Sequence, residues 1–300
     1  MKKVTLLIPT YNRAESLQLT LNSIAGQDSP PCQWECVVVN NNSRDNTSEC
    51  VETFIETHPS LDIHLLFEGV QGRSSALNCG IAHSQGEIII MVDDDEELLP
   101  GFISGYIRLF EELPEVNIAG GVMTPRYIGE RPKWMSYYTE LPILYPINYG
   151  KKPRQFPNHM VPCGGNVAVK RSLFDKYGAF LPHLGRSGDS LIGGEEVEFL
   201  QRAKSHGEQI WYNPYSEVLH YALSYKLTPE HFQRLTYNIG VGQRLRSTSP
   251  LYRLLIAEGV KWCATLLIAL FFIVTLRPAK SVWLIRMRCN ITRGLLKSPN

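Results

Sequence analysis

The chain carries no excess of either charge. Its 30 Lys and Arg against 29 Asp and Glu leave a formal +1 over 300 residues. That is no electrostatic footprint for nucleic acid. The seven cysteines include no C-x-x-C pair, so neither a zinc ribbon nor a thioredoxin-like centre is indicated. Scattered free thiols suit a reducing compartment. There is no internal repeat and no low-complexity tract. The first apolar run, over 4–8, is too short for a signal peptide, and Pro9 interrupts it. One charge type is missing locally. After Glu258 no acid occurs, while Lys261, Arg277, Lys280, Arg286, Arg288, Arg293 and Lys297 follow.

Two nucleotide-binding signatures are also missing. No G-x-G-x-x-G follows the first strand, which disfavours a dinucleotide-binding domain, and no G-x-x-x-x-G-K-[ST] occurs, which argues against a P-loop NTPase. What is present is a strand–helix alternation. Strands are expected over 4–8, 34–39, 61–67, 88–92 and 116–123, with helices over 14–24, 74–83 and 102–113 and one carrying Val51, Phe54 and Ile55. Ser43 or Asp45 can cap that last helix. Such alternation means βαβ units and a mostly parallel sheet, with ligands bound outside the carboxyl ends of the strands. Three polar clusters fall at that edge: Thr10-Tyr11-Asn12-Arg13, Asn40-Asn41-Asn42-Ser43 and Asp93-Asp94-Asp95.

The third cluster organises the chain. In GEIIIMVDDDEELLP, an apolar run over 88–92 ends in three consecutive carboxylates. Mutual repulsion and partial desolvation make that arrangement costly without a counter-charge. A divalent cation relieves it, and oxygen ligands suit Mg²⁺ or Mn²⁺ with substrate phosphates as the remaining ligands. The alternative is a solvated acidic turn at the start of the next helix.

Taken in order, IPTYNR, VVVNNNSRDNT, QGRSSALNCGIAHSQGEIIIMVDDDEEL, CGGNVAVKRSLFDKYGAF and GGEEVEFLQRAKSHG resemble the inverting family-2 glycosyltransferases of GT-A fold, over roughly residues 3–221. The resemblance implies that Pro9, Thr10, Tyr11 and Arg13 lie beside the nucleotide. It puts Asn40 where the family usually has an Asp holding uracil. An Asn brings two extra donors and no charge. Arg73 would pair with a phosphate or the base, or be a solvated loop residue. Asn78 and Gly80 match the family's A-R-N-x-G, with Leu77 in place of Arg. Asp93 and Asp95 correspond to the D-x-D acids, the first toward the ribose and the second toward the metal, with Asp94 between them. On the acceptor side fall Gly165, Asn166 and Glu195, with Glu196 as catalytic base where the family usually has Asp. His220, after the last strand, would reach the metal; the alternative is a structural histidine.

Three further stretches have separate characters. Residues 125–162 are broken by prolines and studded with Trp134, Tyr137, Tyr138, Tyr145 and Tyr149. They read either as an acceptor-binding wall or as a loop packed by its own aromatics. Short strands are expected at 210–212 and 217–219. WCATLLIALFFIVTL, over 262–276, falls between a core helix and a membrane span, and the basic tail behind it has an amphipathic helical pattern. A single crossing would oppose the positive-inside rule, so a membrane-associating region with both flanks cytoplasmic is expected. A buried core helix is the alternative.

The expected architecture is thus an α/β GT-A domain over 1–222, divided into a nucleotide-sugar half (1–123) and an acceptor half (124–222). A helical, membrane-associating region over 223–300 completes it. The expected activity is metal-dependent, inverting transfer from a nucleotide-diphosphate sugar, UDP foremost, to a glycan or polyprenyl-linked acceptor, at the cytoplasmic face of the membrane, with no nucleic-acid partner. A non-catalytic nucleotide- or glycan-binding module, or a metal-dependent nucleotidyl- or phosphotransferase, are the rivals.

Overall fold

All seven residues of β1 (Val4–Thr10) and all five of β4 (Ile88–Val92) are buried, as befits strands covered on both faces. The computed structural model describes residues 4–27, 32–158, 160–162 and 164–297; Cys163, which opens the CGGN stretch, lies outside them. β1 pairs in parallel with β4 and with β2 (Trp34–Asn40), which pairs in parallel with β3 (Ile63–Phe67). Beyond β4 the pairing reverses. β8 (Asn166–Lys170) runs antiparallel to β4 and to β6 (Ile118–Tyr127), and β5 (Glu96–Leu98) runs antiparallel to β9 (Ile210–Ala222). Among the described residues the sheet order is β3-β2-β1-β4-β8-β6-β9-β5, with β7 (Arg154–Gln155) on β9. The sheet is therefore mixed: parallel across the four strands of the βαβ half, antiparallel where the chain returns.

Helices follow the apolar spacing. α1 (Ala14–Ala25) buries Leu17, Leu21 and Ile24, and α4 (Phe102–Glu112) buries Phe102, Tyr106, Leu109 and Phe110. Asp45 serves two helix N-termini at once. Its Oδ2 accepts from Ala14 N at 3.2 Å and its Oδ1 from Thr47 N at 3.1 Å, capping α1 and α2 (Thr47–Thr57). Two expectations change. The strands expected at 210–212 and 217–219 are one continuous β9, because Asn213, Tyr215 and Ser216 between them satisfy one another inside it. Tyr215 N donates to Asn213 Oδ1 at 3.0 Å and Asn213 Nδ2 to Ser216 Oγ at 2.8 Å. The acids behind Asp95 form not a turn but β5, with Glu96 opposite His220 in the ladder.

The chain divides into two compact units, one formed by Met1–Pro125, Pro146–His183 and Glu195–Tyr221, the other by Arg126–Tyr145, Leu184–Gly194 and Ala222–Asn300. The second is helical: α5 (Tyr137–Leu144), α8 (Pro229–Arg246), α9 (Leu251–Val274) and α10 (Pro278–Leu295). Its core gathers Met135, Leu144, Phe232, Leu235, Leu284, Met287 and Ile291. Trp134 packs 5.1 Å from Phe232 and 4.8 Å from Trp283 between ring centroids. α8 and α10 cross where Gly240 and Gly294 bring their backbones together: a Cβ on either would strike the other helix's main chain. α10 is tied to α9 by Arg288 on Glu258 at 3.1 Å and Trp262 Nε1 on Thr292 Oγ1 at 3.0 Å.

α9 begins well before the apolar stretch expected over 262–276. Among the described residues it is long and apolar enough to cross a membrane, by length and composition. Only 17% of its most apolar window is buried. Ile256, Val260, Leu267, Leu270, Phe271 and Val274 lie exposed along it.

Candidate active site

The three polar clusters meet at the carboxyl edge of the sheet: an ion pair joins the first to the third, and the Asn12 N–H ties the first to the second by donating to Ser43 Oγ at 2.9 Å. Thr10, ending β1, donates its hydroxyl to Asp94 Oδ2 at 2.8 Å. Arg13 Nη1 reaches Asp95 Oδ2 at 3.4 Å, and His220 Nε2 lies 3.5 Å from Asp95 Oδ1. His220 is set there by the β5–β9 register, and the Tyr221 N–H fixes the same loop by donating to the Asp95 carbonyl at 3.1 Å. Arg73, first residue of α3 (Arg73–His83), places Nη2 2.6 Å from Asp93 Oδ1 and Nη1 2.7 Å from Glu195 Oε1, and also pairs with Glu196. Glu195 and Glu196 open α7 (Glu195–Ser205), where the helix N-terminus favours their charge.

Two glycines make room for this crowding. A Cβ at Gly164 would overlap the Glu196 carboxyl, and one at Gly165 would overlap that of Glu96. The Glu96 carboxyl is fully buried and its Oε2 accepts from Asp93 N at 3.0 Å, which braces the acidic turn from behind. Gly165 is thus a spacer for a supporting carboxylate.

The electrostatics follow. Burial, and then the neighbouring Asp95 charge, push the Asp94 carboxyl up to about 6, against the pull of Arg13 and Thr10. Burial also works against ionisation of Asp93, but Arg73 and His220 outweigh both it and Asp95, and hold Asp93 below the usual carboxylate range. The negative field around Asp94 and Asp95 is what a cation relieves. The Asp95 carboxylate is an oxygen donor of the kind that Mn²⁺ and Mg²⁺ take, and the His220 imidazole beside it is a softer donor that fits Mn²⁺ better than Mg²⁺. A separate group, Glu35, Asp62 and His64, has ligand atoms within 4.8 Å of one another. It lies at the amino-terminal ends of β2 and β3, away from this edge, and Asp62 and His64 are exposed.

Other expected residues lie apart from this network. Asn78 uses both amide atoms on the Phe180 backbone, donating to its carbonyl at 2.9 Å and accepting from its N–H at 3.0 Å. Asn166 is buried; it accepts from Tyr106 Oη at 2.6 Å and donates to the Val122 carbonyl at 2.8 Å. Asn40 is buried and holds its own loop, accepting from Ser43 N at 2.9 Å and donating to Ser48 Oγ at 2.7 Å. Pro9 is buried in β1, and Tyr11 is half-buried just beyond it. Of the aromatics over 125–162, Trp134 packs inside the helical unit and Tyr149 packs on Phe156 and Tyr212, while Tyr137 and Tyr138 are exposed. Sequence reasoning gave no role to Asn41, whose Oδ1 accepts from Gly72 N at 2.7 Å while its Nδ2 donates to the Val70 carbonyl at 2.8 Å. That side chain anchors the loop that delivers Arg73. Three consecutive asparagines gave no signal as to which would do it.

An acidic carboxyl edge on a mixed sheet of this order is the fold of the GT-A transferases. In solved structures it is shared with the mannosyltransferase PcManGT from Pyrobaculum calidifontis in complex with GDP-Man and Mn²⁺, at TM-score 0.62 and 17% identity over 97% of this chain and 87% of that one. It is also shared with S. aureus TarS 1-349 in complex with UDP-GlcNAc, at TM-score 0.56 and 19% identity over 83% and 68%. Residues 5–178, more than half of the chain, match Glycosyl transferase family 2, and the protein belongs to that family. Among curated relatives it is similar to the glucosyl-dolichyl phosphate glucuronosyltransferase of Haloferax volcanii, 25% identical over 75% of this chain and 71% of that protein. The chain spans smaller shares of other relatives, 30% of Glycosyltransferase AglE of the same organism and 49% of YdaM of Bacillus subtilis.

Proposed function

We propose that the protein transfers a sugar from a nucleotide-diphosphate donor, a UDP-sugar, to a polyprenyl-linked or glycan acceptor in surface polysaccharide or glycoconjugate assembly, inverting the anomeric centre. The observation that carries this reading is the meeting of the Asp93–Asp95 loop with the Glu195–Glu196 helix start on one guanidinium. It sets the donor-side acids beside a base on the acceptor side. Membership of the family supports sugar transfer. A lipid-linked acceptor is supported by the relatives' names, which include a GalNAc(5)-diNAcBac-PP-undecaprenol β-1,3-glucosyltransferase of Campylobacter jejuni, 32% identical over 37% of this chain and 36% of that protein.

Glu196 is the base: it takes the proton of the acceptor hydroxyl as that oxygen attacks the anomeric carbon. The bond from that carbon to the diphosphate breaks, the nucleoside diphosphate leaves, and the single displacement inverts the centre. Thr10 and Arg13 hold Asp94 and Asp95 in place for the donor. Asp95 and His220 would hold Mn²⁺ or Mg²⁺, which when bound supplies positive charge against the departing diphosphate. The exposed apolar face of α9 and the acid-free basic tail support attachment to the cytoplasmic leaflet. The Glu258–Arg288 pair supports a hairpin lying at the membrane surface, because a crossing would carry that pair into hydrocarbon.

The test is release of nucleoside diphosphate from a panel of sugar nucleotides with Mn²⁺ and a polyprenyl-phosphate-linked acceptor. Glu196→Gln keeps the shape but takes no proton, and turnover should fall roughly 10²-fold or more with donor affinity unchanged. No release from any donor sinks the transferase reading. Near-normal turnover in the variant moves the base elsewhere.

A further inference from the structure

We propose that Arg73 is the positioning residue for the base, and that its main work is on the carboxylates rather than on the donor. The family resemblance implies phosphate or nucleobase as its partner, with a solvated loop residue as the alternative. Its guanidinium is a fork with one arm on Asp93 and the other on Glu195 and Glu196. The side chains are largely out of water, at 15% exposure for Arg73, 3% for Glu195 and 12% for Glu196. In that setting a planar, always-charged fork with five donors holds geometry that a flexible ammonium does not. The fork is itself fixed from behind: Asn41 accepts from Gly72 N, which starts α3 at the right place.

Remove the guanidinium and these carboxylates repel across a short gap. The best-buried, Glu195, then turns away, and Glu196 on the same helix turn moves with it. Arg73 so ties the position of the acceptor-side base to the loop that carries the donor-side acids. It acts through the Glu196 carboxylate, with which it pairs, rather than on the sugar or the departing diphosphate. This inference rests on Glu196 as the base.

Two double-variant cycles test it in the full chain. In the first, the thermal midpoint is measured for wild type, Arg73→Ala, Glu196→Gln and both together. The double variant should lose about 2–4 °C less than the sum of the singles, because one partner's removal already breaks the pair. Additive losses overturn the proposal whatever the activity. In the second, Arg73→Ala should lower kcat about 10–100-fold while calorimetric affinity for the released nucleoside diphosphate changes less than threefold. On a Glu196→Gln background the same change should have almost no further effect. Arg73→Lys should recover part of kcat by returning the charge without the fork. A fall in nucleoside diphosphate affinity that matches the fall in kcat/KM makes Arg73 a donor ligand and overturns the proposal. Where Arg73→Ala does not fold, Arg73→Lys replaces it in both cycles. Thermal coupling without transfer from any donor defeats the Glu196 reading, and this role with it.

Discussion

Gly164→Ala separates catalysis from stability at a single position. The added Cβ would lie well under 3.0 Å from the Glu196 carboxyl, a separation that real Cβ atoms essentially never show. The atoms in its way are the far end of a flexible side chain, so the backbone need not move. Glu196 turns away by about 1 Å or more instead, and a displacement of that size in a reacting group can cost on the order of 10²-fold in rate. Arg73 keeps Asp93 and Glu195 as partners when Glu196 turns away, so the fold should lose only on the order of 1 kcal/mol. The expected result is a kcat roughly 10–100-fold below wild type, an unchanged KM for the donor, and a thermal midpoint within a few degrees of wild type. Steady-state kinetics with the active sugar nucleotide, beside a thermal melt, decides it. Wild-type kcat in a folded Gly164→Ala protein would refute the placement of Glu196 over Gly164. A collapse of stability would show that the backbone, not the carboxylate, gave way.

Asp95→Ala should abolish the dependence of donor binding on Mn²⁺, measured by calorimetry with and without the metal; unaltered metal dependence removes Asp95 from the site. Arg288→Ala leaves Glu258, 2% exposed, without its principal partner and should destabilise the protein by on the order of 3 kcal/mol. Joint replacement, Glu258→Met with Arg288→Met, should recover most of that in urea unfolding, and equal losses from the two constructions would contradict a buried pair. For Asp45, burial raises the carboxyl, but donation from Thr47 and from the Ala14 and Thr47 amides outweighs it and lowers its pKa. A folded-state pKa below the unfolded one contributes stability that is present above about pH 4 and is lost as pH falls through the folded value. The thermal-midpoint gap between wild type and Asp45→Asn should therefore narrow between pH 5 and pH 3, and a gap independent of pH would exclude the carboxylate as the dual cap.

Local pattern was enough for much of this. Apolar runs over 4–8 and 88–92 have the length and β-branching of buried strands, and strand–helix alternation places TYNR, NNNS and DDD at one edge. Periodicity found α1 and α4 because their buried faces repeat every three to four residues. The acids that the order of motifs nominated are at that edge. Partners were another matter, because side-chain contacts between distant segments leave no trace in spacing. Nothing near Asn41 marks it as the anchor of Gly72, and nothing in A-L-N-C-G shows that Asn78 would be taken up by Phe180. The antiparallel half was hidden for the same reason: β5 exists only because β9 comes to pair with it, and β9 itself was legible only as two short pieces at 210–212 and 217–219.

Composition and periodicity alone determined the class of fold, the polar edge and the acids that stand there, since each depends on neighbours within a few residues. Tertiary structure alone decided that one arginine holds acids from opposite halves of the chain, that two glycines serve as seats for carboxylates, and that α9 turns an apolar face outward. Those are matters of which segments meet. Packing of the whole chain decides them, through the burial of charge and the exclusion of a Cβ, and no local window contains that information.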